Sequence, residues 1–554
     1  MQGLMMQYPL TLARILERSE RLFPKKEIAS RALDGSMSRY TYADYFRRVH
    51  RLAHVLRQLG IGEGDRVGTL CWNTSRHMEL YFAIPCSGAV LHTLNLRLSA
   101  DQLAFIINHA ADKVIFVDAS LVPLLDAIRD QIPCVERFVI MEDSEIPAHG
   151  LTPVDDYERL LAAAPDERFS WPDLDENAAC ATCYTSGTTG HPKGVLYTHR
   201  CMFLHTMSML QTDCVAVSER DTLLQIVPMF HANGWGLPFA AIMAGSRIVM
   251  SGRHLQPCDV ATLIQNEHVT LAGGVPTIWM SLYAFLEHER FDISSLRLVI
   301  CGGSALPRQF VELYAKKYGI HIMLLWGMTE TSPLATMQAY RSHLDGLPED
   351  ERFEKLSRHG MALPGVDIRV VDELGNEVPA DGKTMGELQV RGAWVTSGYY
   401  QDDSNRIDNP HAASFSDGWF RTGDVATIDE DGYIQIMDRT KDLVKSGGEW
   451  ISSVDLENAI MSHPKVAEAA VIAIAHPKWQ ERPLAAIAPL PQFRDSITKD
   501  EILEFLCGKV AKWWLPDEII FIDAVPKTSV GKFNKRALRE QFKDYQLPLT
   551  ATPV

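Results

Sequence analysis

No stretch of the 554 residues runs to about 18 apolar positions without a charge, so no membrane-spanning helix is expected. The first twenty residues lack a basic start followed by an apolar block. Gln7, Arg14, Glu17 and Arg18 interrupt them, which argues against a signal peptide. Basic charge is in deficit: 54 Lys and Arg stand against 70 Asp and Glu, and the formal net charge of −16 argues against nucleic acid as a main partner. A local basic pocket remains compatible with that balance. Cysteine forms no metal-binding pattern. The ten are scattered, and the one close pair, Cys180 and Cys183, has no second pair to complete a zinc site. Its apolar, strand-like surroundings read as buried thiols in a reducing cytosol. There is no repeat and no long low-complexity segment, and Leu547–Val554 is expected to be frayed. What remains is a chain 46% hydrophobic and 22% charged, the balance of a soluble globular protein too long for one simple core.

Within that chain the densest chemistry is Tyr184-Thr185-Ser186-Gly187-Thr188-Thr189-Gly190-His191-Pro192-Lys193-Gly194. It follows the apolar run Ala178–Cys183 and precedes a helical pattern, His199–Leu210. Gly187, Gly190 and Gly194 let backbone approach a ligand closely. Thr185, Ser186, Thr188 and Thr189 add hydroxyl donors, backbone N–H groups of such a loop can nest an anion, and Lys193 adds a point charge. The set suits a polyphosphate. It is not a Walker A loop, because Gly194 and Val195 follow the lysine where Ser or Thr would be needed.

Around the loop, short apolar runs alternate with helical patterns. Val67–Trp72, Ala89–Thr93, Val114–Val117, Phe138–Met141, Leu223–Val227, Arg247–Met250, Leu298–Cys301 and Ile322–Leu325 read as strands, with helices such as Arg76–Ser87 and Ala100–Ala110 between them. That order predicts an α/β fold with layered, mostly parallel sheets. The polar segment Glu142–Asn177 reads as a surface connection. From about residue 365, short alternating segments separated by turns read as a small β subdomain reaching to about 440. A smaller α+β unit, 441–554, follows the polar sequence Asp438-Arg439-Thr440-Lys441-Asp442, which reads as a hinge. The expected division is therefore 1–440 and a small, mobile 441–554. Ligands in open α/β sheets lie at the carboxyl ends of strands. There stand Gly302-Gly303-Ser304 and Trp326-Gly327-Met328-Thr329-Glu330-Thr331. Gly302–Leu306 lacks the last glycine of a nucleophile elbow, so no covalent serine is expected.

The Tyr184–Gly194 loop resembles the signature Thr-Ser-Gly-Thr-Thr-Gly-x-Pro-Lys-Gly of the adenylate-forming superfamily, which includes the AMP-dependent acyl-CoA synthetases. The resemblance covers essentially the whole chain, with further motifs in the family order: Trp326–Thr331, Trp419–Asp424, Lys445–Ser452 and Pro526–Lys532. It implies ATP, Mg²⁺ and coenzyme A. Glu330, helped by Thr189, would hold Mg²⁺. Trp326 and Gly302–Ser304 would flank adenine, and Gly327, Met328 and Thr329 belong to the same cofactor-binding set. Asp424 would accept the ribose hydroxyls, Arg439 would add a contact to ribose or phosphate, and Lys532 would be the catalytic lysine, working with Lys193. Lys441 matches the family's hinge, and Gly447, Gly448, Glu449 and Trp450 match the loop that lines the thioester-forming site after the small domain turns.

The acid is addressed by Met229-Phe230-His231-Ala232-Asn233-Gly234-Trp235-Gly236. Relatives that activate amino acids place Asp where His231 stands, so a free α-amine is not expected. Trp235, Val275, Pro276 and Met328 are candidates to line an acyl site. His231 and Trp235 resemble the medium- and long-chain fatty acyl-CoA ligases. With Trp394 the neighbourhood also resembles ligases for 3-methylmercaptopropionate. The reading is a fatty acid–CoA ligase, medium chain favoured. The alternatives are a short thioether acid, transfer of the acyl group to a carrier protein, and a nucleotide- or acyl-binding protein without turnover. A cytoplasmic homodimer, compatible with peripheral membrane contact, is the further expectation from the family.

Overall fold

The computed structural model describes residues 1, 3–142, 144–185, 192–339, 341–401, 414–446, 449–528, 532–543 and 545. Ser186–His191, Gly447 and Gly448 therefore lie outside the described residues, and with them the expected contributions of Ser186, Gly187, Thr188, Thr189 and Gly190.

Two large sheets carry the N-terminal region. In the nine-stranded sheet, Glu27–Arg31, Arg247–Met250, Thr222–Gln225, Leu271–Gly274, Leu298–Cys301 and His321–Gly327 run parallel, with antiparallel strands added at both edges. In the seven-stranded sheet, Val154–Asp156, Arg137–Met141, Asp112–Asp118, Arg66–Leu70, Val90–Thr93 and Ala179–Tyr184 are parallel, and Gly194–Thr198 closes the edge antiparallel. The α/β expectation with layered parallel sheets is thus met. Strands such as Asp112–Asp118 are covered on both faces, which is why they read as continuous apolar runs.

One core cluster joins the facing sides of both sheets. The helix Leu237–Ala244 sits in it with all eight residues buried, so its sequence Leu-Pro-Phe-Ala-Ala-Ile-Met-Ala is apolar all round. Pro238 occupies the first turn, where its missing N–H costs no hydrogen bond. Two more clusters cover the outer faces. A third, antiparallel sheet comprises Val366–Val371, Gly386–Gly392, Phe415–Ser416, Trp419–Ile428 and Ile434–Arg439. A fourth is built from Val444–Ser446, Glu449–Ile451, Val466–His476, Gln480–Pro489 and Glu518–Phe521, with helices Ser453–Met461, Lys499–Leu506 and Lys535–Gln541. Among the described residues, no helix is long and apolar enough to cross a membrane.

One local reading changes. The segment 142–177 is not a plain connection: Val154–Asp156 extends the seven-stranded sheet and Tyr157–Ala163 is a helix. Its polar residues are used in tertiary pairs, Glu158 accepting from Arg48 and Arg76. The helix expected after the signature loop is present as His199–Met209, capped by the Thr198 hydroxyl; before it, the strand Gly194–Thr198 pairs antiparallel with Ala179–Tyr184, Tyr184 opposite Gly194.

Candidate active site

The parallel strands of the nine-stranded sheet deliver their C-terminal turns into one cavity of about 760 Å³. Leu298–Cys301 brings Gly302, Gly303 and Ser304, and His321–Gly327 brings Trp326 through Glu330. The hairpin of Ala179–Tyr184 and Gly194–Thr198 contributes Thr185 and Lys193, held by a Thr185 N–H to Lys193 carbonyl bond of 2.9 Å. The third sheet contributes Asp424 and Arg439, and the C-terminal unit contributes Lys532. Residues far apart in sequence therefore meet because strand ends, a hairpin and the third sheet all open on one space.

Asp424 is buried, and both carboxylate oxygens are engaged. The Trp326 indole N–H donates to Oδ2 at 2.8 Å, and Arg439 Nε lies 3.0 Å from Oδ1. Asp424 and Arg439 face each other across the register of antiparallel strands. The expectation placed Trp326 beside adenine; the structure adds that its N–H orients this carboxylate.

Glu330 is buried, and burial pushes its carboxyl up from the ordinary range, against a 2.8 Å hydrogen bond donated by the Tyr399 hydroxyl. The Lys193 ammonium sits 4.7 Å from the centre of the same Tyr399 ring. Tyr399 thus joins two residues singled out from sequence, and no motif had marked it.

The Lys532 backbone is held by Thr528: the Thr528 N–H donates to the Lys532 carbonyl and the Lys532 N–H to the Thr528 hydroxyl. Its stem lies against Gly303: a Cβ there would stand 3.0 Å from Lys532 Cε, and Gly303 has φ +86. That close approach requires glycine. Burial, then the Arg439 charge, lower the Lys532 ammonium to about 8. His231 lines the same cavity; burial and the Lys532 charge push its imidazolium down to about 3, so it is neutral.

The backbone after His231 is unusual. Ala232, Asn233, Gly234, Trp235 and Gly236 all have positive φ, 42, 51, 60, 60 and 72, forming a left-handed turn. For non-glycine residues that conformation costs roughly 1–2 kcal/mol each. Close packing enforces the glycines: a Cβ on Gly236 would meet the His205 ring at 2.7 Å, and one on Gly234 would meet Gln225 Nε2 at 2.8 Å. The turn aims Trp235 so that Cη2 lies 3.5 Å from a Cβ position on Gly302. Beside it the cavity is apolar, with Met209, Leu237, Ile300, Leu325 and Leu334.

Not every expected residue lines the cavity. Pro276, Gly327, Met328, Thr329 and Lys441 do. Val275 stands beside it, its Cγ1 3.5 Å from the Gly303 Cβ position. Trp394 is core: its indole donates to the Leu334 carbonyl at 2.8 Å and its ring meets His205 edge-on. Trp450 lies under Lys445, 4.7 Å away, outside the cavity, and Glu449 belongs to the same short strand.

A family model described as AMP-binding enzyme matches residues 16–400, and one described as AMP-binding enzyme C-terminal domain matches 455–532. The chain belongs to the AMP-binding enzyme family. Over 542 residues it is 47% identical to a long-chain-fatty-acid–CoA ligase of Thermus thermophilus, covering 98% of this chain and 97% of that one. It is 43% identical to a 3-methylmercaptopropionyl-CoA ligase of Ruegeria lacuscaerulensis, covering 98% and 99%. Among solved structures, ATP-bound MatB from Rhodopseudomonas palustris superposes with a TM-score of 0.82 at 27% identity, covering 97% and 99%. In this member of the family the charged groups Lys193, Glu330, Asp424, Arg439 and Lys532 share one cavity lining with apolar side chains.

Proposed function

We propose that the protein is an ATP-dependent fatty acid–CoA ligase for medium- to long-chain acids. The observation that carries the reading is this meeting of Lys193, Glu330, Asp424, Arg439 and Lys532 with apolar side chains in a single cavity.

A carboxylate is a poor electrophile because its leaving group would be oxide. Attack of its oxygen on the α-phosphate of ATP forms the acyl–adenylate bond and expels pyrophosphate. A thiolate then attacks the acyl carbon, forming the thioester and releasing AMP, with the thiol proton going to solvent. The first step brings two anions together, so the enzyme's contribution is fixed positive charge where negative charge develops. Lys193 and Lys532 supply it, and Asp424 with Arg439 holds the nucleoside end. Glu330 suits Mg²⁺: among the described residues no cluster of three acidic, His or Cys ligands forms a protein cage, while one buried carboxylate matches an ion that takes its other ligands from phosphate and water. When bound, Mg²⁺ would offset triphosphate charge. Neutral His231 and the apolar lining suit the carboxyl end and the alkyl chain of the acid, and a neutral imidazole stands at the position where an amine would need a carboxylate partner.

Rotation about Lys441 would exchange the Lys532 face for the Lys445–Ser452 face, giving the second step its thiol channel. A short thioether acid is the second reading, favoured by Trp235 closing against Gly302 and by the Ruegeria relative. Action as a cytoplasmic homodimer belongs to the same proposal and is checked by sedimentation of the purified protein.

Pyrophosphate release with ATP, Mg²⁺ and CoA, across acids from propionate to palmitate plus 3-methylmercaptopropionate, tests the proposal. A maximum at medium or long chains supports it. A maximum at the thioether acid keeps the chemistry and selects the second reading. Absence of release with every acid refutes both.

A further inference from the structure

Where the strand Ile434–Arg439 hands the chain to the C-terminal unit, a buried polar chain crosses the junction. Asp438, on the N-terminal side of Lys441, is 2% exposed. Its Oδ2 accepts the Ser453 backbone N–H at 2.8 Å and the Ser453 hydroxyl, while Oδ1 accepts the Arg439 N–H at 2.8 Å. Ser453 Oγ in turn accepts from the Lys535 ammonium. Lys535 pairs with Glu457 Oε1 at 2.8 Å, which also accepts the Val471 N–H at 2.7 Å. Next to this run, the Ser452 hydroxyl donates to the Met437 carbonyl at 2.5 Å. The link is thus Asp438–Ser453–Lys535–Glu457, with the first member before the hinge and the rest after it.

Lys535 opens the helix Lys535–Gln541 and stands three residues beyond Lys532. One turn further, Arg539 pairs with Asp442 at 2.6 Å, immediately after Lys441. The helix that follows Lys532 is therefore tied to the hinge at two points. The groups are desolvated: Lys535 and Glu457 side chains are 11% and 7% exposed, and burial pushes the Glu457 carboxyl up to about 7. A buried ionic chain is a weak source of stability compared with apolar packing, and its best-attested use is to specify one arrangement over another.

We propose that Ser453 and Lys535 are positioning residues for the adenylation half-reaction: Ser453 by bonding to Asp438 across the hinge, and Lys535 by bonding to Ser453, hold Lys532 in the ATP cavity. The inference rests on the two-step reading above. The Ser453–Asp438 bond must part if the C-terminal unit turns about Lys441, so it favours the first half-reaction at the expense of the second.

The test compares Ser453→Ala, Lys535→Met and Lys535→Arg with wild type in three measurements. The first is pyrophosphate release without CoA. The second is thioester formation from supplied acyl-adenylate and CoA. The third is trypsin cleavage at the hinge, after Arg439 and Lys441, alongside Tm. Loss of the Ser453 hydroxyl is expected to lower kcat of the first step about tenfold with little change in KM for ATP, and Lys535→Met by more. Thioester formation from supplied acyl-adenylate holds or rises, hinge cleavage speeds, and Lys535→Arg restores the first step. Equal loss in both half-reactions with a lowered Tm would mean a purely structural role, and an unchanged first step would refute the positioning role outright. If the wild type releases no pyrophosphate, the function reading fails separately. The hinge contact is then judged by cleavage: unchanged cleavage in Ser453→Ala at unchanged Tm overturns it.

Discussion

Lys532 offers a quantitative handle on the reaction, because its surroundings fix where it titrates. Its ammonium has left water for a site walled by Gly303, with Arg439 repelling it, and loses its proton near pH 8. At that value about nine-tenths of the free enzyme carries the charge at pH 7, about half at pH 8 and about a tenth at pH 9. If the charge is what steadies the pentacoordinate phosphorus, kcat/KM for pyrophosphate release falls about tenfold from pH 7 to pH 9, since kcat/KM reports the free enzyme. Triphosphate in the site favours the protonated form, so the alkaline limb of kcat lies at higher pH. The assay is the first half-reaction alone, without CoA, from pH 6.5 to about 9.5. Thiol ionisation would otherwise push the overall rate the other way. Lys532→Arg, always charged, is slower but loses the limb. A flat wild-type profile refutes the argument, as does a limb that survives in Lys532→Arg. Lys441, also lowered by burial and also on the cavity, is the control: a limb that vanishes in Lys441→Arg instead belongs to the hinge. Stability follows the same linkage. Between about pH 8 and 10.5 the unfolded chain holds a proton on this lysine that the folded chain has released, so stability rises with pH there. Below pH 8 the buried charge costs at most about 3 kcal/mol. Lys532→Met is therefore expected to melt higher than wild type at pH 7 without nucleotide, the gap closing toward pH 10.

Three other perturbations separate parts of the site. Gly236→Ala forces a Cβ at φ +72 to within 2.7 Å of the buried His205 ring; it should lower stability by about 1–3 kcal/mol, read as Tm, and an unchanged Tm would deny that the turn is tightly held. Tyr399→Phe removes the hydroxyl bonded to Glu330 and leaves the ring beside Lys193. The first half-reaction should slow about tenfold, with more Mg²⁺ needed for half-maximal rate. Equal metal dependence in both enzymes would remove Tyr399 from that role. Lys441→Pro restricts the hinge backbone and should impair thioester formation more than pyrophosphate release; equal losses would count against rotation at this residue.

Much of this protein was open to reading before any coordinates, because its chemistry sits in short runs. Alternating apolar strands and helices imply parallel sheets, and turns at strand ends are where such sheets bind ligands. Gly302–Ser304, Trp326–Glu330, Trp419–Asp424 and Pro526–Lys532 could each be found because their residues are contiguous. The Gly-Trp-Gly of residues 234–236 even hints at unusual backbone, though not at a five-residue left-handed turn. Misreadings came where polar residues serve distant partners: 142–177 looked like a solvated connection because Glu158 belongs with Arg48 and Arg76. Tyr399 carried no local signal, since its meaning lies in Glu330, 69 positions away, and the Trp326–Asp424 bond spans 98. Residue order determined which groups the chain possesses and the local form of each motif. Packing alone decided which of them share a cavity, how far Lys532 is stripped of water and which carboxylates face which cations, because those quantities depend on distance through space and on burial rather than on separation along the chain.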